Sequence, residues 1–60
     1  MYLPDDPDML VSVINTRLRD FYENLDDLCL SEDVDREELL KKLDDSGFRY
    51  DGEQNRFLKR

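Results

Sequence analysis

Residues 7–22, PDMLVSVINTRLRDFY, space their apolar side chains as only an α-helix can gather them onto one side. At about 100° per residue, Leu10, Ile14, Leu18, Phe21, Val11 and Tyr22 fall within one arc. Met9 and Val13 widen it on one side, with Arg17 between the two groups. Asp6 is a cap for the orphan amides at the start, Pro7 suits the first helical position and Asp8 complements the positive dipole end. The spacing predicts a first helix over residues 7–22 that the rest of the chain must cover. Only two short helices follow, so the stripe is either a central core helix or partly a contact with a second copy. The candidate interaction surface is Met9, Val11, Val13, Arg17 and Tyr22.

How the core is stabilised is constrained by what is missing. The chain has 60 residues, one cysteine and no histidine. Cys29 therefore has no disulfide partner within the chain, and a Cys/His zinc site is excluded. A chain of this size buries only about 60% of its unfolded surface. Efficient packing or self-association is what remains. Sixteen acids against nine bases leave a net charge of −7, which repels polyanions such as nucleic acid and anionic membrane surfaces. The acids are unevenly spread: residues 1–35 carry ten carboxylates against Arg17 and Arg19, a net −8, and the remainder is +1. Such polarity suits orientation of two chains or a basic partner. No apolar run approaches the roughly 20 residues of a membrane span, and no secretory signal is visible. With a lone thiol, this reads as a cytoplasmic protein. Charged residues are 42% of the chain, but the 38% that are hydrophobic recur periodically, which favours one folded domain over residues 1–60.

Tyr2 and Leu3 form an apolar lead-in before the first helix. Asn24 or Asp20 separates that helix from a second over about 24–31, with Leu25, Leu28 and Cys29 inward. Val34 follows in a tight polar turn. Asp35 caps a third helix, Glu38 completes a capping-box pair, and Leu39, Leu40 and Leu43 form the apolar side. Lys41 and Lys42 suit its negative end, and Gly47 ends it at about Asp45 as a left-handed cap. Over 48–58 the period changes to alternation around DGEQN, predicting two strands and a loop of four or five residues. A two-residue Asp-Gly turn would pair Phe48 with Asn55 and strand Phe57 beyond the ladder. Because an isolated hairpin is marginal, Phe48, Tyr50 and Phe57 are expected to pack on the helices. The fold class is mainly α, a small α+β domain of three helices and a C-terminal β-hairpin.

Over about 24–45, the small buried Cys29, the turn ending in Val34, the cap Asp35 and the buried Leu39 and Leu43 resemble a helix-turn-helix. Asp33 stands where glycine is usual and Glu32 where an apolar residue is usual. With the hairpin, the second half resembles a miniature winged helix-turn-helix. Nearly the whole chain, in LPDDPDMLVSVINTRLRDFYENLDDLC, DVDREELLKKL and GFRYDGEQNRF, resembles the short bacterial proteins of domain of unknown function 4250. Leu30 and Glu32 depart from that pattern. The resemblance implies a small stand-alone cytosolic protein and brings no activity or functional residues with it.

Catalytic chemistry is poorly provided for. Cys29 lies on an apolar helix face, where a thiol is inert. Asp26 with Asp27, and Asp44 with Asp45, read as solvated helix surface rather than acid/base pairs. Asp33, Asp35 and Glu37 alternate like calcium-loop ligands, but Glu38 stands where that loop requires glycine. DGEQN reads as a turn, and two glycines make no phosphate cradle. The chain is thus expected to be non-enzymatic and without cofactor, metal or small-molecule ligand, acting on a protein partner or as a homodimer. The alternative is winged-helix-like DNA binding or transcription-accessory action through Arg36, Lys41, Lys42, Arg49 and Arg56. Asp35, Glu37 and Glu38 oppose it at the edge where phosphates would lie.

Overall fold

Local caps set the three helices. In the computed structural model, which describes residues 3–60, α1 runs Pro7–Asp20, α2 Leu25–Glu32 and α3 Arg36–Asp45. The Asp6, Asn24 and Asp35 side chains accept from the amides of Asp8, Asp27 and Glu38 at 3.0, 2.8 and 3.2 Å. Tyr2 of the apolar lead-in lies outside the described residues, and Leu3 packs against the core. Asp33 ends α2 in the left-handed region (φ 57°, ψ 50°), so the Cys29 carbonyl accepts from both Asp33 and Val34. Aspartate tolerates that geometry, which is why a non-glycine turn closes here. Gly47 takes φ 89° after α3, where any side chain would be strained. Arg60 covers the same helix end, donating to the Asp44 carbonyl at 2.9 Å and pairing with its carboxylate at 3.2 Å.

Strand β1 (Phe48–Asp51) pairs antiparallel with β2 (Arg56–Lys59) across the four-residue loop 52–55. The register sets Phe48 opposite Lys59 and Tyr50 opposite Phe57, not Phe48 opposite Asn55. The carboxylate of Asp51 organises the loop, accepting from the Glu53 amide and the Gln54 side chain, both at 3.0 Å. Tyr50 and Phe57 stack tilted, with ring centroids 5.5 Å apart. Phe57 enters a core of Leu10, Ile14, Leu18, Leu28, Leu39 and Leu43, which Leu25 and Cys29 complete.

Two asparagines fasten the hairpin. The Asn15 side chain accepts from the Phe57 amide at 2.7 Å and donates to the Phe57 carbonyl at 3.0 Å. In an antiparallel ladder both backbone groups of a residue point the same way. Those of Phe57 point away from β1, and Asn15 meets them as a neighbouring strand would. At the loop's end Asn55 (φ 54°) donates to the carbonyls of Leu18 and Tyr22 at 3.2 and 3.0 Å. It also accepts from the Tyr50 hydroxyl at 2.7 Å, which itself accepts from the Leu25 amide at 3.2 Å. Helix ends leave such groups orphaned, so hairpin side chains complete the end of α1 and the start of α2.

That network corrects one expectation. The first helix stops at Asp20 rather than 22, and Phe21 leaves helical geometry (φ −128°). Phe21 is therefore not on the core arc but 66% exposed. Where the chain turns, Asn55 holds the carbonyls of Leu18 and Tyr22.

Asn15→Ala removes both bonds to Phe57 and leaves its backbone groups partly shielded from water, a cost of about 2–3 kcal/mol. A 60-residue domain has roughly 3–9 kcal/mol in total. Urea denaturation followed by circular dichroism is expected to show the midpoint of Asn15→Ala falling by a third or more.

Candidate interaction surface

Position on α1 decides what each proposed contact residue can do. Leu10, Ile14 and Leu18 define the buried line. Val11 and Tyr22 lie on one side of it, half-buried and packed against the core. Met9, Val13 and Arg17 lie on the other side. Met9 is 57% exposed, while Val13 and Arg17 are partly covered. The structure thus divides the five residues, and it adds Phe21, four positions after Arg17, to the outer row. The Arg17 guanidinium stands 5.8 Å from the Phe21 ring centroid, holding the ring along the helix surface.

The basic residues are divided as well. Arg36 pairs with Asp26 at 2.6 Å and with Glu37 at 3.5 Å, and Lys42 lies 3.6 Å from Asp5. Lys41 and Arg49 share a crevice between α3 and β1 with Leu40, Phe48 and Tyr50. Arg56 lines a separate cleft between α1 and the hairpin. Among the described residues, Lys41, Arg49 and Arg56 enter no ion pair.

The cleft beside Arg56 has a volume of about 790 Å³, and its walls include Ser12, Asn15, Thr16, Tyr22 and Asn55. Its polarity serves the fold, because the Asn15 and Asn55 amides are committed to backbone groups. No carboxylate or thiol lines it. Cys29 is 6% exposed, and burial pushes its thiol up, away from the reactive thiolate. Among the described residues, no three Cys, Asp or Glu side chains gather to hold a metal ion, and no helix is long and apolar enough to cross a membrane.

Two features escaped the sequence reading. Leu30, 85% exposed on α2, follows the buried Cys29 by one residue, and a helix turns about 100° in that step. Its exposure was legible from the same wheel that placed Leu25, Leu28 and Cys29 inward. The structural roles of Asn15 and Asn55 had no such local signal.

Residues 4–57 match the model of the family described as Domain of unknown function (DUF4250), and the chain belongs to that family. No curated protein and no solved structure matches it significantly.

One polar contact ties the rim of this surface to α2: the Tyr22 hydroxyl donates to the Glu32 carboxylate. That bond, strengthened by partial burial, raises the phenol above its ordinary value of 10.0. The neutral phenol is the form the fold favours. Its stabilisation is complete below the pH where a free tyrosine ionises and is lost as pH rises through the raised value. Absorbance titration should show a late phenolate step that Tyr22→Phe removes and Glu32→Gln moves back toward the ordinary range.

Proposed function

We propose that the protein is a small non-enzymatic interaction module that self-associates weakly through the outer row of α1. One observation carries this reading: Met9 and Phe21 stay exposed at the two ends of a helix whose other large apolar groups are covered. Single exposed apolar side chains are ordinary on protein surfaces. Here they are aligned with Val13 and Arg17 at steps of four residues, the spacing that another helix fills. An antiparallel pairing of two α1 helices about a twofold axis sets Met9 of each copy against Phe21 of the other. A row of four side chains covers well under the roughly 800 Å² per partner of a standard interface, so the association is weak. Net charge opposes it too, less so at physiological salt, where screening acts over about 8 Å.

Sedimentation equilibrium at physiological salt should show apparent mass rising above 7.2 kDa with concentration. Phe21→Glu and Met9→Glu should hold it at the monomer with unchanged circular dichroism. A wild-type chain that remains monomeric into the high micromolar range refutes self-association.

Duplex DNA is the second reading, favoured by Lys41 and Arg49 flanking one crevice without ion-pair partners. Against it stand Asp35, Glu37 and Glu38 at the start of α3, and the engagement of Arg36 and Lys42 by carboxylates. Electrophoretic shifts at low ionic strength, weakened by Lys41→Glu with Arg49→Glu, would support this reading; no shift there removes it.

A further inference from the structure

The corner where α2 runs into α3 differs in character from the α1 row. A shallow depression of about 540 Å³ lies there, with Leu30 and Val34 over the nearly buried Cys29 thiol. Asp26, Asp33 and Asp35 border it. The one cation in its lining, Arg36, is held by Asp26 at 2.6 Å and by Glu37 at 3.5 Å, so the rim is net negative. The helix end adds to that field. α2 has no basic side chain in its last turn, and Glu32 and Asp33 lie beside that end, facing the start of α3 at Arg36. An apolar floor with an acidic rim repels nucleic acid and anionic lipid and complements a cationic polypeptide.

We infer that this depression docks a basic segment of a partner protein, with an aliphatic side chain seated on Leu30 and Val34 and flanking lysines or arginines meeting Asp26, Asp33 and the carbonyl end of α2. The inference goes beyond self-association and does not depend on it, since the α1 row contributes nothing to this surface. The cations of the segment supply the positive charge that the last turn of α2 lacks. Its aliphatic group covers Leu30, which is 85% exposed. Affinity therefore comes from the apolar seat, and association rate and salt dependence come from the rim.

The test is titration of the isotopically labelled protein with a pool of short peptides, each with a central Leu, Ile or Met flanked by Lys and Arg. Backbone amide shifts confined to residues 26–36 are the expected result. Leu30→Ser changes an exposed side chain and should leave the fold intact while weakening binding about tenfold or more. Asp26→Asn with Asp33→Asn keeps the left-handed turn, because asparagine adopts it readily, and should remove most of the salt dependence. Undiminished binding by Leu30→Ser overturns the inference, as does equal binding of peptides whose central residue is Ser. Shifts centred on Met9 to Phe21 assign the peptides to the α1 row instead, and no shifts at all refute a basic partner here. Concentration-dependent shifts at 26–36 without peptide would make a second copy the occupant and overturn it equally. Phe21→Glu should leave peptide binding unchanged, which separates this result from the fate of self-association.

Discussion

The side-chain amide of Asn15 is the interaction on which the fold depends. A two-stranded hairpin on its own is marginal in water, and β2 has a free edge. Asn15 offers that edge one donor and one acceptor from the middle of α1, as a third strand would. The geometry brings Phe57 into the centre of the core, where it fills the space between three helices too short to close over it alone. Asn55 and Tyr50 extend the same arrangement to the ends of α1 and α2. Orphan helix groups and an open strand edge, each costly alone, are met by polar side chains from the opposite element.

With the core closed in this way, the surface divides by charge and by helix. The carboxylates of residues 1–35 occupy caps, turns and helix exteriors. At caps they are structural: Asp6 and Asp35 hold helix starts, and Asp33 closes the turn between α2 and α3. Asp33 and Asp35 also give the α2–α3 corner its negative rim, so those side chains set both local geometry and surface field. This explains why the corner between α2 and α3 carries acid: Asp33 forms a left-handed turn and Asp35 a helix cap. The acids are required by the turn and cap, whatever the surface binds.

Elements whose determinants lie within a few residues were legible. Asp6 with Pro7, Asn24, Asp35 and Gly47 each mark a boundary found within a residue or so. The hairpin was expected with a loop of four or five residues, and the four-residue loop sets Tyr50 opposite Phe57. The end of α1 fell two residues short of Tyr22, at Asp20, one of the two separators the sequence offers. There Asn55, more than thirty residues later, takes the carbonyls of Leu18 and Tyr22. Among the residues proposed for contact, Val11 and Tyr22 are apolar on the wheel, and only the assembled core shows them to be partly buried.

The sequence by itself determined three helices, their caps, the hairpin and the exclusion of a disulfide or Cys/His zinc staple within these 60 residues, because these rest on local backbone geometry and on residue types. Tertiary structure alone decided which side of α1 the hairpin covers, and therefore which apolar groups remain outside. It also gave two ordinary-looking asparagines their structural importance. Asn15 reaches Phe57 across 42 positions, and an amide in a helix carries no local mark of the strand edge it will meet. Side-chain hydrogen bonds of that range depend on the assembled fold, since the partners come within 3 Å only after the core has brought them there.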